Sequence, residues 1–303
     1  MTVGRYAPSP SGDLHVGNLR TAMLAWLSAH HGGGELRLRI DDLDPSVSLR
    51  EHELSQRHDL TALGITFDGP ELRQSDRTAA YAEAIAMLGE QEMLYPCFCS
   101  RREIREAALA PHVHLPDGAY PGTCRDLSVR EQATRAEKRP AALRVRTGNV
   151  EIDFVDRHYG PQTEFVDDFV IQRNDGVASY NLATVLDDHV HEVTEVVRGA
   201  DLLAGTARHV WLRGVLGLNP VEHAHVPLVL NTQGERLAKR DGAVTLGDLA
   251  AVGISTEQIR GRLAATFGLA ESGETPTMED LLERYDPAAL PLDDAVWSVV
   301  EEA

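Results

Sequence analysis

Cysteine is scarce in this chain of 303 residues: there are three, which cannot all pair within one chain, so a disulfide-stapled fold is not expected. No apolar run approaches the roughly 20 residues that a membrane helix needs, which argues against an integral membrane protein. The opening Met1-Thr2-Val3-Gly4-Arg5 has no apolar core of the kind a secretory signal carries, and a soluble cytoplasmic protein is expected. Positive charge is also in deficit, with 29 Lys+Arg against 47 Asp+Glu for a net charge of −18, which argues against indiscriminate nucleic-acid binding. Neither G-x-x-x-x-G-K-[ST] nor G-x-G-x-x-G occurs, which removes the two commonest glycine-rich nucleotide loops. What remains, 43% hydrophobic and 25% charged residues, is the composition of a globular protein of about two compact units.

The charge is unevenly spread. Glu271 to Ala303 carries ten acids and one base, half of the total excess, whereas Cys97 to Arg146 carries ten bases and six acids. The middle of the chain can therefore meet a polyanion although the whole is acidic. The alternative is that its arginines merely decorate solvated helices.

Val3 to Ala7 reads as a short strand, ended by Pro8-Ser9-Pro10-Ser11-Gly12, where two prolines forbid regular structure. Leu19, Met23, Trp26 and Leu27 recur at helical spacing, Gly32 to Gly34 close that helix, and Leu36 to Ile40 alternates as a strand. Strand, turn, helix, strand is the start of a parallel α/β sheet. Further helices are expected at about Ser48 to Leu63 and Asp76 to Gln91, and further strands at Val193 to Val197 and Pro227 to Leu230. Asn174-Asp175-Gly176 is a hairpin-type turn. Ser100 with Glu103, Ser128 with Glu131 and Ser255 with Gln258 have capping-box spacing. The division that follows is 1–94 and 165–242 for two halves of an α/β domain, 95–164 for an insertion, and 243–303 for a short helical end.

Three constellations can carry chemistry. His15-Val16-Gly17-Asn18 lies where the first strand passes into the first helix. A helix N-terminus favours an anion, Gly17 lets a base or phosphate come close, and His15 and Asn18 can donate to phosphoryl oxygens. Arg236-Leu237-Ala238-Lys239-Arg240 follows the turn Asn231-Thr232-Gln233-Gly234 and is either a basic surface loop or a mobile one whose Lys239 neutralises a leaving pyrophosphate. Cys97, Cys99 and Cys124 fall within 28 residues and suit Zn²⁺, which wants a fourth ligand; Tyr120, His112 and His114 lie between the pairs. Asp187, Asp188, His189 and His191 could form a metal cluster, but such carboxylates more often orient neighbouring loops. Trp211, Leu212, Val215 and Leu216 form a helical apolar stripe for core packing.

Arg5 to Asn18, with its Pro-Ser-Pro-Ser-Gly and His-Val-Gly-Asn, resembles the opening of glutamyl-tRNA synthetases with their HIGH-type signature. Leu38-Arg39-Ile40-Asp41-Asp42-Leu43-Asp44 is similar to that family's LRIEDTD stretch. Ser179 to Ala183 and Val196 to Asp201 match two later blocks, and Arg236 to Arg240 falls where the KMSKS-type signature belongs. Only about sixty residues follow, where a complete glutamyl-tRNA synthetase has an anticodon-binding region. The pattern is instead similar to the truncated glutamyl-Q tRNA(Asp) synthetases, which activate glutamate with ATP without tRNA and attach it to queuosine in tRNA(Asp).

The resemblance implies a class I synthetase Rossmann-type parallel sheet with an inserted zinc-type subdomain and a short helical C-terminal region. By position it implies that Arg5, Ala7, Ser9, Asp41, Tyr180 and Arg198 hold L-glutamate, that His15, Gly17, Asn18 and Lys239 serve ATP and its Mg²⁺, with His15, Asn18 and Lys239 assisting the reaction, and that Cys97, Cys99, Tyr120 and Cys124 hold one structural Zn²⁺. Guanidiniums suit a dicarboxylate, and an acid suits its ammonium group. Asp41 is one methylene shorter than the family's Glu, and Ala238 lacks the serine hydroxyl of the second signature. A relative passing activated glutamate to another acceptor, or a non-catalytic nucleotide- or RNA-binding paralogue, fits the same departures. With no sustained apolar heptad, a monomer is expected. Arg198→Ala is expected to abolish glutamate-dependent pyrophosphate exchange; retention of exchange would disprove the pocket assignment.

Overall fold

The computed structural model describes residues 1–108, 116, 118–235, 237 and 244–298. Strand β1 (Val3–Tyr6) runs into the irregular Pro8 to Gly12 loop and then helix α1 (Val16–His30). Leu19, Met23, Trp26 and Leu27 are all buried, as their spacing predicts. Gly32 and Gly33, at φ 86° and 77°, turn the chain into β2 (Glu35–Ile40) through conformations open to few other residues. β2 pairs in parallel with β1, Arg5 opposite Arg37, so the expected βαβ unit forms.

Helix α2 (Arg50–Ala62) is slightly shorter than its pattern suggests. Its buried Gln56 donates through Nε2 to the carbonyls of Ser9 (2.9 Å) and Gly12 (2.7 Å), pinning the proline loop. β3 (Leu72–Arg73) extends the parallel sheet beside β2. The helix expected from Asp76 starts as a 3-10 turn over Gln74–Arg77 and continues as α3 (Thr78–Glu90).

The stretch 95–164 is not structurally uniform. β4 (Leu94–Cys97), α4 (Arg101–Ala108), α5 (Val129–Ala136) and β5 (Ala142–Val145) carry Cys97 and most of the arginines, with Cys99 and Cys124 in the segments between them. Ser100 with Glu103 and Ser128 with Glu131 make the reciprocal cap bonds that their spacing predicts. The hairpin of β6 (Val150–Asp156) and β7 (Gly160–Val166) instead reaches the second parallel sheet. β8 (Val170–Gln172) pairs antiparallel with β5, and the turn at Asn174-Asp175-Gly176 forms.

Helix α6 (Tyr180–Val190), capped by Ser179, leads to β9 (Glu195–Gly199), a 3-10 turn over Ala200–Gly205 and α7 (Thr206–Val215). The Trp211 stripe packs against the core, with Trp211 edge-on to Phe169 at 5.8 Å. β10 (Glu222–Val226) pairs in parallel with both β9 and β6. The sequence pattern missed this strand: Glu-His-Ala-His-Val does not look buried, yet its two histidines lie inside. Of the strand expected at Pro227 to Leu230, only Val229–Leu230, β11, is extended and paired. Thr194 N donates to Val3 O at 2.9 Å, which sets β9 beside β1 and joins the two parallel sheets in one layer.

The remaining chain is helical: α8 (Leu246–Ala251), α9 (Thr256–Ala265) and α10 (Met278–Arg284), each opened by a capping box. Ile259, Leu263 and Phe267 bury against α1. A short strand, β12 (Ala295–Val296), then returns to pair in parallel with β11, and Asp294 Oδ1 accepts the Leu228 N–H at 2.7 Å. Among the described residues no helix is long and apolar enough to cross a membrane.

Candidate functional site

A cavity of about 980 Å³ opens beside the end of β1, the start of α1 and the end of β9. Arg5, Ala7, Ser9, His15, Gly17, Asn18, Asp41, Tyr180 and Arg198 all line it, so residues nearly 200 positions apart share one wall.

The helix N-terminus differs in detail from its expected form. His15 is the N-cap of α1, and its Nδ1 accepts the N–H groups of Gly17 (3.1 Å) and Asn18 (3.3 Å). Asn18 Oδ1 returns the favour by accepting the His15 N–H at 3.3 Å. The first amides are therefore spent on the imidazole, whose proton must sit on Nε2, and Asn18 has its NH₂ to offer a ligand. Gly17 is required by the ring itself: a Cβ there would stand 2.9 Å from His15 Cε1.

Two kinds of arginine meet in this cavity. Arg39, missed by the sequence reading, is 1% exposed and fully compensated. Its Nε donates to Asp41 Oδ1 (2.6 Å), its Nη2 to Asp41 Oδ2 (3.2 Å) and its Nη1 to Asp188 Oδ1 (2.6 Å). Asp41 thus reaches the cavity with both oxygens already engaged. Asp188 also lies 3.7 Å from Arg5 Nε and 3.7 Å from Arg213 Nη2. Burial alone would raise the Asp188 carboxyl; Arg39, Arg5 and Arg213 outweigh it and hold it below the ordinary range. Asp187 receives Gln74 (2.8 Å), Arg77 (2.6 Å) and Tyr81 (2.8 Å). This pair of carboxylates anchors side chains, the second of the two roles its sequence allows.

Arg198 is treated differently. It is 5% exposed, and among the described residues it contacts no acid. Nε donates to His225 Nε2 (2.9 Å), Nη1 to the Tyr180 hydroxyl (3.3 Å), and Nη2 to Leu202 O (3.1 Å) and Thr206 Oγ1 (2.8 Å). Arg5 donates through Nη1 to Val197 O at 3.2 Å, while its buried Nε makes no hydrogen bond. Arg198, held by neutral groups, and Arg5, which shares the single Asp188 with two other arginines, leave positive charge in this cavity suited to an incoming carboxylate.

Arg236, Ala238, Lys239 and Arg240 lie outside the described residues. Their neighbours are informative. The Asn231 to Gly234 turn closes as expected, Leu237 is buried and lines the cavity, and Val244 O accepts the Val16 N–H at 2.8 Å. Thr245 also bridges His15. Val244 and Thr245 are thus fastened at the start of the first helix, and Leu237 at the cavity wall.

A second group lies in the insertion. The ligand atoms of Cys97, Cys99 and Cys124 are within 4.8 Å of one another, and the three are free thiols. The Tyr120 hydroxyl is 3.4 Å from Cys97 Sγ and accepts the Cys124 N–H at 2.8 Å. Arg144 Nε donates to Cys97 Sγ (3.3 Å) and Arg135 Nη1 to Cys124 Sγ (3.4 Å). A hydrogen bond from Cys99 pulls Cys97 down to about 4 against its burial, with the Tyr120 hydroxyl and Arg144 assisting. Three soft sulfurs this close together are a donor set suited to a soft metal ion. His112 and His114 fall outside the described residues.

Residues 1–280 match the family model described as the catalytic domain of class I tRNA synthetases (E and Q). The chain is 51% identical over 292 residues to a glutamyl-Q tRNA(Asp) synthetase of Nocardia farcinica, covering 95% of this chain and 90% of that protein. It is 44% identical to the one of Symbiobacterium thermophilum, with 96% and 94% covered. In structure it is similar to a glutamate tRNA ligase of Elizabethkingia meningosepticum crystallised with its amino acid, at TM-score 0.83 and 27% identity, over 98% of this chain and 67% of that one.

Asp188→Asn is expected to destabilise the fold by roughly 3–5 kcal/mol, because it strands buried guanidiniums. A carboxyl held below its ordinary value stabilises the fold above about pH 4, and that contribution is lost as the pH falls through the folded-state value. Urea titrations from pH 7 to pH 3 should therefore show a shallower acid decline in the variant; parallel declines would contradict this role.

Proposed function

We propose, from the premise that this chain belongs to the class I tRNA synthetase family of glutamate and glutamine, that it is a glutamyl-Q tRNA(Asp) synthetase. It activates L-glutamate with ATP and transfers it to queuosine in tRNA(Asp). The observation that supports this best is Arg198, a buried cation held by neutral groups beside Arg5, at the cavity that also receives the N-terminus of α1.

In this reading Arg5 and Arg198 take the side-chain carboxylate of glutamate, with the Tyr180 hydroxyl alongside. Ala7 and Ser9, on the loop pinned by Gln56, shape the floor. Asp41 holds the ammonium group; because Arg39 already shares its charge, that contact is weaker than a free carboxylate would give. ATP lies across the start of α1. His15, through Nε2–H, and Asn18, through its NH₂, bind phosphoryl oxygens, and Gly17 keeps the ring of His15 in place. The glutamate α-carboxylate attacks the α-phosphorus, the bond to pyrophosphate breaks, and Lys239 with Mg²⁺ balances the departing charge. A queuosine hydroxyl then attacks the acyl carbon, its proton leaves, and AMP departs. No covalent enzyme intermediate is needed.

Cys97, Cys99, Cys124 and Tyr120 would hold one zinc ion, which ties β4 to the segment before α5. It supplies shape rather than chemistry, since all four donors come from the protein. The basic residues of the insertion then face the RNA. The protein acts as a cytoplasmic monomer.

With ATP and L-glutamate but no tRNA, the protein is expected to exchange pyrophosphate. It should charge queuosine-containing tRNA(Asp) and leave queuosine-free tRNA(Asp) uncharged; equal charging or none would reject the acceptor. Elemental analysis should give one zinc per chain. Cys124→Ser should lower that content and impair transfer more than pyrophosphate exchange, and an unchanged metal content would remove Cys124 from the ligand set.

A further inference from the structure

Arg198 on β9 stands directly opposite His225 on β10, a residue with no exposed surface. A guanidinium nitrogen can only donate, so the 2.9 Å contact from Arg198 Nε requires a lone pair on His225 Nε2. The ring proton is then on Nδ1, which lies 2.6 Å from Asp156 Oδ2 and donates to it. Asp156 is 1% exposed. Its Oδ1 accepts the N–H groups of His158 and Tyr159, both at 3.0 Å, and its Oδ2 also accepts the His225 N–H at 3.0 Å. The carboxylate is thus fixed by β6, the turn after it and β10, and it fixes the tautomer of the ring.

We propose that Asp156 and His225 are positioning residues that aim Arg198 while leaving its charge uncompensated, so that the site selects a carboxylate over the matching carboxamide. The inference rests on the glutamate assignment above. Arg39, in the same cavity, shows the alternative: two aspartates touch it directly and neutralise it. Had Asp156 touched Arg198 in that way, an incoming side-chain carboxylate would meet a neutral ion pair. A neutral imidazole placed between them passes on the orientation of the acid without its charge. Thr206, also fully buried, lies 3.2 Å from His225 Nε2 and donates to Leu202 O at 3.4 Å while accepting from Arg198 Nη2, which closes the far side of the fork. The sites of Asp156 and His225 are dry, where polar side chains cost stability unless they serve a purpose.

The test compares wild type, His225→Ala, His225→Gln and Asp156→Asn by glutamate-dependent pyrophosphate exchange and by calorimetric titration with L-glutamate and L-glutamine. His225→Ala should raise the KM for glutamate roughly ten- to hundredfold, the range for losing a hydrogen bond to a charged group, and leave the KM for ATP within about twofold. Its preference for glutamate over glutamine should fall as well. His225→Gln, whose amide oxygen can replace Nε2 as acceptor, should recover most of the loss. Asp156→Asn keeps the volume, and its oxygen is best spent on the His158 and Tyr159 amides. That turns its NH₂ toward Nδ1 and moves the ring proton to Nε2, against Arg198. This variant should behave like His225→Ala even where the alanine protein folds poorly. Equal losses for ATP and glutamate, or an unchanged preference between glutamate and glutamine, overturn the proposal. Should wild type exchange pyrophosphate normally while both variants match it, the positioning role alone falls. Should wild type neither bind nor activate glutamate, both readings fall.

Discussion

Burying guanidinium groups is the constraint around which this molecule is arranged. Arg5, Arg39, Arg198 and Arg213 are all taken out of water at one edge of the parallel layer, where an unpaired charge is costly. The fold answers with a single shared carboxylate, Asp188, for three of them, and with neutral acceptors for the fourth. The difference between those two answers separates scaffold from recognition. Where charge is cancelled, as at Arg39, the side chain holds neighbouring loops in place. Where it is left standing, as at Arg198, the site has an affinity that only an anion can satisfy.

The same economy appears at the start of α1. The start of α1 would by itself offer several unpaired amides to an anion, but the ring of His15 takes two of them through Nδ1. Those two bonds also fix the tautomer of the ring. Val244 is bonded to Val16 at the same place, and Leu237 lies at the cavity wall. The C-terminal tail reinforces this from behind. Through Asp294 and the β11–β12 pair it grips Leu228 to Leu230, the strand that leads toward that segment. Acids that look in sequence like an undifferentiated negative run are thus partly employed: Asp280 caps α10, Glu274 meets Arg284, and Asp294 holds the strand.

How much of this was legible in the chain depends on the range of the forces involved. Local signals were read well: the proline loop, the helix spacing in α1, the Asn174-Asp175-Gly176 turn and the capping boxes at Ser128 and Ser255, each set by neighbours within four residues. The strand Glu222–Val226 was not legible. His225 is buried because Asp156 and Arg198 hold it, His223 stacks beside it, and nothing within the strand announces that. Arg39 was passed over for the same reason: alternation marks it as one more strand residue until Asp188, 149 positions away, is seen to hold it.

The sequence by itself determined the α/β class, the bounds of α2 and α3 to within a few residues, the clustering of three thiols, and the residue types that a phosphate and an acidic amino acid would require. Spacing and composition are properties of short stretches, and short stretches obey local rules. Only the tertiary structure decided which arginine is buried without an acid partner, which nitrogen of His15 caps the first helix, and why Gly17 has no room for a side chain. Those outcomes follow from desolvation and from hydrogen-bond direction, and both depend on partners that the chain brings together only when it is folded.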